Sequence, residues 1–426
     1  MLIIYLILWF TFSSAIFLTN DETTTYYQIY DIEFTGLKKT DGDYLMRFLQ
    51  CQKGSTVLLE QIEIDVQCLR NLPFFAQVNY ELKTVKKKRI LVFNCTEKWT
   101  LLPIFTANLS AVNTSFSVGL SDINALGRGM YFKAVYHYYD LHSFELNFFN
   151  PYIKGSKLGW RTELAKISRI EPIYWNSMSR LYRADKAKLF LEVQYEVNFR
   201  QTISLGTSYL YERYEGLGET NMSTTTAPIP EKAQFHKQLL KISYTLDRRN
   251  YSHIYLSGFA NQFNAETTYT LEEKWWFYKI TNEFMYFHRL KKTANIATKF
   301  TLGVSTNNNT PLPAFVQDNY LNIRGIGNRV QRGSAEAVIN IEYRQTLFDI
   351  GWLAAQGVAF SDYGLIRLTE QSINEVLKKP QQAWYGGAGL RLNFTRFSKA
   401  IVRIDYGYDL QHQKPGGLIF AVDHFF

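Results

Sequence analysis

The sequence predicts a transmembrane antiparallel β-barrel of about 16 strands preceded by one small α+β domain, and three observations carry that expectation. First, KLFLEVQYEVNFR (188–200) alternates strictly, with Leu189, Leu191, Val193, Tyr195, Val197 and Phe199 between mostly polar neighbours. A run of about ten residues or more with one apolar and one charged face fits a barrel wall between lipid and a polar lumen. Second, aromatic residues make up 16% of the chain, whereas mean hydropathy is only -0.20. Beyond residue 20 no stretch reaches the roughly 18 to 20 apolar residues that a spanning helix needs. Third, polar or Gly- and Pro-bearing segments separate the alternating runs: 215–232, 305–313 and 369–382. A soluble β-sandwich is the alternative, but it has no need of strands this long.

Taken in order, MLIIYLILWFTFSSAIFLTN (1–20) reads as a secretory signal peptide cleaved near residue 15, where small residues follow the apolar run. A single membrane anchor is the other reading. The small domain spans 25–99. YYQIYDIEF (26–34) alternates as a strand closed by Gly36, and Asp41 or Asp43 caps a short helix. A second helix over about 58–72 places Leu59, Ile62, Val66 and Leu69 on one face, and Pro73 ends it. AQVNYELKTV and RILVFNCTE then form a hairpin around the basic turn 86–88, a solvated tip. The order is β-α-α-β-β. Cys51, Cys68 and Cys95 have no CxxC spacing and suggest neither a disulfide framework nor a zinc site. Residues 100–426, at about 20 residues per strand with its share of loop, hold about 16 strands. Weaker alternation at 130–140 and 235–247 agrees with this.

No enzyme is visible. The chain lacks GxSxG, HExxH and a glycine-rich phosphate loop, and its seven histidines, His137 and His424 among them, are scattered without ligand spacing. Glu192 and Glu196 share a strand face as lumen-lining charge rather than as a catalytic pair. The expectation is no metal, no cofactor and no nucleic-acid partner.

One stretch resists this bland reading. NYLNIRGIGNRVQRG (319–333) packs three arginines and three glycines into what the pattern predicts as a loop. Together with several other short motifs, it resembles the BamA/TamA-type outer-membrane assembly proteins, also called the bacterial surface antigen family. The β-α-α-β-β unit looks like a single POTRA domain, down to CLRNLPFFAQVNYEL (68–82), and NCTEKWTLLPI (94–104) resembles the passage into the first barrel strand. Asn124, Gly127 and Gly129 match the N-x-x-G-x-G turn, and Pro151-Tyr152 the PY pair. TLDRRNYSHIYLSG (245–258) looks like the D-x-R segment, with Tyr255 where proline is usual. GVAFSDYG (357–364), GGAGLRLNF (386–394) and FAVDHFF match the later strands and closing aromatic signal. The resemblance covers nearly all of the chain beyond the signal, and the order of the motifs makes it specific.

The resemblance answers for the arginines. It implies that Ile323-Arg324-Gly325, with Ile326 where an aromatic is usual, sits on an extracellular loop folded back into the barrel. Arg324 would pair there with Asp362, since an unpaired desolvated charge is costly. Gly325 would let the backbone turn past the wall. It also implies a seam between the first strand (about 100–108) and the last (about 417–426), closed by Phe420, Val422, His424 and Phe426. Phe426 would be an interfacial anchor, and Gly416 and Gly417 would weaken local pairing.

A weak seam could accept a strand from an unfolded client protein, as could the POTRA edge. Outer-membrane lipids, such clients and a periplasmic or lipoprotein accessory are the expected partners. The expected location is the outer membrane of a Gram-negative-type bacterium, POTRA in the periplasm. A two-partner-secretion-like pore and a passive porin or surface antigen remain open; the short spacer before the POTRA leaves no room for a plug helix, and a porin needs no POTRA.

Overall fold

A computed structural model describes residues 26–109, 114–139, 141–153, 155–175, 178–217, 231–307, 314–327, 331–368, 381–398, 400–422 and 426. The signal at 1–20, the interiors of the polar segments 215–232, 305–313 and 369–382, and His424 lie outside them.

The small domain builds from β1 (Tyr26–Gln28), β2 (Asp31–Thr35), α1 (Gly42–Met46), β3 (Thr56–Leu58), α2 (Leu59–Arg70), β4 (Phe75–Val85) and β5 (Lys88–Glu97). The single strand expected over 26–34 is two. Ile29 is buried, and its amide donates to Ser55 O, so the chain leaves β3 there and joins β5 instead. The main sheet runs β2-β5-β4, parallel then antiparallel. Asp41 is the residue that caps α1, its carboxylate accepting from the Asp43 amide. On α2, Ile62, Val66 and Leu69 are buried as expected, but Leu59 is exposed in the first turn. Its place in the buried set is taken by Asp65, which accepts from the amides of Gln50 and Cys51 and so ties down the loop after α1. Lys86 and Lys87 both have positive φ, which suits a tight hairpin turn. The three cysteines are free and buried; burial pushes the Cys68 thiol up to about 11 and Cys95 up to about 12.

The barrel opens with β6 (Leu101–Leu109), β7 (Thr114–Ala125), β8 (Met130–Tyr139) and β9 (His142–Asn150). The tall wall follows as β10 (Leu158–Trp175), β11 (Met178–Asn198), β12 (Gln201–Gly216), β13 (Lys232–Asp247), a short β14 (Asn250–Ser252), β15 (Tyr255–Thr270), β16 (Trp275–Leu290) and β17 (Ala294–Ser305). After the loop hairpin β18 (Phe315–Gln317) and β19 (Gln331–Gly333) come β20 (Ala335–Asp349), β21 (Leu353–Arg367), β22 (Gln381–Phe394), β23 (Ile401–Asp409) and β24 (Lys414–Val422). Among the described residues the ring is closed, and leaving out three-residue β14 it has sixteen wall strands. From β6 to β24 successive wall strands pair antiparallel.

Alternation decides which way each side chain faces. On β11, Leu191 (46% exposed) and Val193 (53%) point outward, while Glu192 (9%) points into the lumen. The outward face matches a lipid-facing wall, and the strand runs further at its N-terminal end than the alternating motif suggested.

Candidate functional site

Three features concentrate the chemistry: an arginine-pinned loop in the lumen, a joint between the small domain and the barrel, and the closing seam.

The pin is built by strand alternation. Asn340, Glu342 and Arg344 on β20, Asp362 on β21, Arg391 on β22 and Arg403 and Asp405 on β23 are all buried, and the loop between β17 and β20 lowers Arg324 among them. Arg324 donates through its amide (3.0 Å) and Nε (2.8 Å) to Asp362 Oδ2 and through Nη2 (2.9 Å) to Oδ1. Its Nη1 donates to Glu342, and its guanidinium stacks on the Phe360 ring at 3.7 Å. Glu342 also accepts from Arg344 (2.6 Å) and Arg391 (3.0 Å), while Arg391 and Arg403 both donate to Asp405, at 2.6 and 3.1 Å. Asn340 bridges the loop carbonyl of Asn322 to Asp362. Thus the Arg324–Asp362 contact is one edge of a network over four strands. Glu342, Arg344, Arg391, Arg403 and Asp405 were missed in the sequence; their signal was charge at alternate positions of otherwise apolar strands.

Around the pin, Ile323 is fully buried with Val338 and Ala383, and Ile326 packs against that cluster where an aromatic was expected. Gly325 has φ 93, and a Cβ there would sit 2.8 Å from Gly407 Cα on β23. A Cβ on Gly416 would sit 2.9 Å from Gly325 O. Gly416 therefore serves close approach of the loop to the last strand, a role beyond the weakened pairing expected of it.

The joint gathers the motifs of the barrel turns. Asn124 donates to Thr40 Oγ1 (2.9 Å) and accepts from the Gly129 amide (2.7 Å). Gly127 O accepts from the Asp41 amide (2.9 Å), Arg128 pairs with Asp41 (3.0 Å), and Lys39 pairs with Asp122 (2.6 Å). Side chains at Gly127 and Gly129 would run into Lys39 O and the Tyr44 hydroxyl. Tyr152 of the PY pair packs on Tyr44 and Phe48 and donates to Glu196; burial raises both tyrosine hydroxyls well above their usual range. In the D-x-R turn, Arg249 forks onto Asp247 (2.9 and 2.6 Å), which presents Asn250 and Tyr251 to Asn71 and Gln67 of the α2 end. Ser398 donates to Pro73 O at 2.6 Å, and Trp99 bridges to Phe397. Counting walls from β6, these turns follow the second, fourth, eighth and fourteenth strands. The domain therefore lies across the barrel mouth.

At the seam, β24 and β6 are neighbours in the closed ring. Phe420 and Val422 point outward from β24. Phe426 does not share their face. Its ring lies against Leu256, Phe287 and Ala297, with Arg344 5.8 Å from its centroid and donating to its carbonyl at 3.4 Å. The expected interfacial anchor is instead seated inside the barrel, because the apolar pocket at the start of β15 and β17 and the Arg344 cation both favour the ring there.

The Omp85 superfamily domain matches residues 124–420, and the POTRA family, described as a surface antigen variable number repeat, matches 27–98. No curated protein matches the chain. Among solved structures, BamA from Haemophilus ducreyi lacking POTRA domains 1-3 is similar at 15% identity, covering 92% of this chain and 84% of its own, with a TM-score of 0.55. CdiB from Acinetobacter baumannii is similar at 10% identity over 92% of this chain and 73% of its own, TM-score 0.57. CdiB from Escherichia coli gives 13% identity, 92% and 75% coverage, and a TM-score of 0.58.

Proposed function

The chain belongs to the Omp85 superfamily, an outer-membrane barrel with one POTRA domain in the periplasm, and on that premise we propose that it assists assembly of client proteins into the outer membrane through its lateral seam. The observation that carries this reading is that the pinned loop touches the last strands directly, Gly325 against Gly407 and Gly416. The arrangement of the seam is thereby tied to the seating of the loop. The POTRA domain lies across one mouth and the loop occupies the lumen beside β20–β23, so a side exit is the less obstructed route. A client strand would pair with a freed edge of β6 or β24, main chain to main chain, and burial of its apolar face in lipid would drive insertion. No nucleotide is required for such a step.

Export of a soluble client through the lumen is the second reading, favoured by the hydrated ion pairs that line the wall from β8 to β17. Depletion of the protein separates the two. Loss of a subset of β-barrel proteins from the outer-membrane proteome is the expected result. An unchanged membrane proteome with a protein missing from the medium would overturn assembly in favour of export.

A further inference from the structure

The outward face of the tall wall carries a feature that neither assembly nor export uses. The pairing registers place Tyr136, Phe144, Lys166, Ala187, Tyr211 and His236 side by side in one row across β8 to β13. Lys166 points outward with Trp160 and Leu164, which are exposed on the same face of β10. It stands about eight residues above the periplasmic start of that strand. At about 3.3 Å per residue and a tilt of about 35–45°, its ammonium lies about 20 Å up, near the outer edge of an apolar band about 25 Å tall. The Tyr and His neighbours agree, since aromatic girdles mark that boundary.

Among the described residues no hydrogen bond or ion pair reaches Lys166. The nearest carboxylate by register, Asp185 one row further out, is held by Arg183 at 3.2 Å. Above it Glu215 is shared between Arg213 and Lys232, each at 3.2 Å. The row and its outer neighbours thus set the cations Lys166, Arg183, Arg213 and Lys232 against three carboxylates, Asp185, Glu215 and Glu272, the last of them on the His236 amide. Directly beneath Lys166 is an apolar depression of about 370 Å³ bordered by Phe144, Leu146, Leu164, Leu189 and Tyr209. A second one of about 400 Å³, bordered by Trp160, Leu191, Leu205 and Leu240 over Gly206, lies further down the same face, on the periplasmic side of the band's midplane.

We propose that this face of β9–β12 is a binding site for a phosphorylated glycolipid of the outer leaflet, with Lys166 on a lipid phosphate and an acyl chain in the depression directly beneath it. The level of the lysine selects the leaflet, and the lone cation above an apolar track selects an anionic head with long tails over a zwitterionic lipid or a protein surface.

The test uses the full-length protein in detergent, incubated with deep-rough lipopolysaccharide and passed through size exclusion, with retained lipid A quantified by mass spectrometry. Lys166→Gln should lower retention about fivefold, the loss expected for one lysine at a membrane surface. Lys166→Arg should keep it, and Ala187→Trp, which fills the upper depression, should lower it with the lysine intact. Phosphatidylethanolamine and phosphatidylglycerol under the same conditions should be retained poorly. Heat-modifiability on gels reports that each variant is folded, and a misfolded Lys166→Gln leaves Ala187→Trp as the deciding variant. Retention unchanged in Lys166→Gln or in Ala187→Trp, or either phospholipid retained as well as lipopolysaccharide, would overturn the site.

Discussion

The lumen wall uses the same ion pairs in two very different settings. On β20–β23 the charges are dry: Arg324, Glu342, Asp362, Arg391 and Asp405 are fully buried and hold one another by several hydrogen bonds each. On the wall from β8 to β17 the pairs join neighbouring strands but stay partly wet, as in Lys188–Glu163, where 34% and 23% of the side chains are exposed. The dry set includes a residue delivered by a loop; the wet set is strand to strand only. Water is the difference that matters. A charge already in the wall gains little from a hydrated partner, whereas a loop charge carried into a dry site must be met by partners or the loop cannot stay.

The largest expected effect is on the dry side. Arg324→Ala strands Asp362 and Glu342 without their central cation and should cost about 3–5 kcal/mol, read as a lowered midpoint in heat-modifiability or denaturant unfolding. Midpoints equal to the native protein's would mean the network is hydrated after all. Next comes the outward wall. Leu191→Arg, near the middle of the apolar stretch of β11, should cost about 2–4 kcal/mol if that stretch faces lipid. A water-soluble thiol reagent gives the same test by position, labelling a cysteine at 192 and one at 191 unequally. The native cysteines stay silent in that assay, because all three are buried.

The coupling within the pin is smaller and more specific. Arg324→Ala combined with Asp362→Ala should fall short of the summed singles by about 0.5–3 kcal/mol. Strict additivity would mean that the two residues act separately. The smallest effect belongs to the wet wall, where Lys188→Ala should cost about 0–1 kcal/mol. A loss there as large as that of Arg324→Ala would erase the contrast between the two settings.

Much of this was legible in the chain, for reasons that differ by region. Alternation along 188–200 reports facing directly, because a strand has a period of two and one face meets lipid. The helix of the POTRA domain was readable from apolar spacing, except where Asp65 replaced Leu59 in the buried set. There the buried carboxylate answers to two loop amides, which no periodicity encodes. Arg324 and Asp362 were readable only through motif resemblance. Their partners Glu342, Arg391 and Asp405 look in sequence like any other lumen charge, and only the packed loop makes them dry. The turn motifs at Asn124, Gly127 and Tyr152 were legible as motifs, but their purpose, contact with residues 39–48, is a matter of domain placement. Phe426 shows the limit most clearly. An aromatic after an alternating strand reads as one more outward position, and its turn into the lumen depends on a pocket built more than a hundred residues earlier.

The proposed route for client strands requires the seam between β6 and β24 to open, and one measurement addresses it directly. Single cysteines are placed in pairs across 101–106 and 416–422, and the pair that oxidises, with Cα atoms about 5.5–6 Å apart, is used to lock β6 to β24 in the folded protein. The locked barrel should keep its POTRA joint and its heat-modifiability yet fail to support assembly of the outer-membrane proteins that depletion affects, and reductant should restore them. A locked barrel that assembles every such protein at the normal rate would contradict the lateral mechanism.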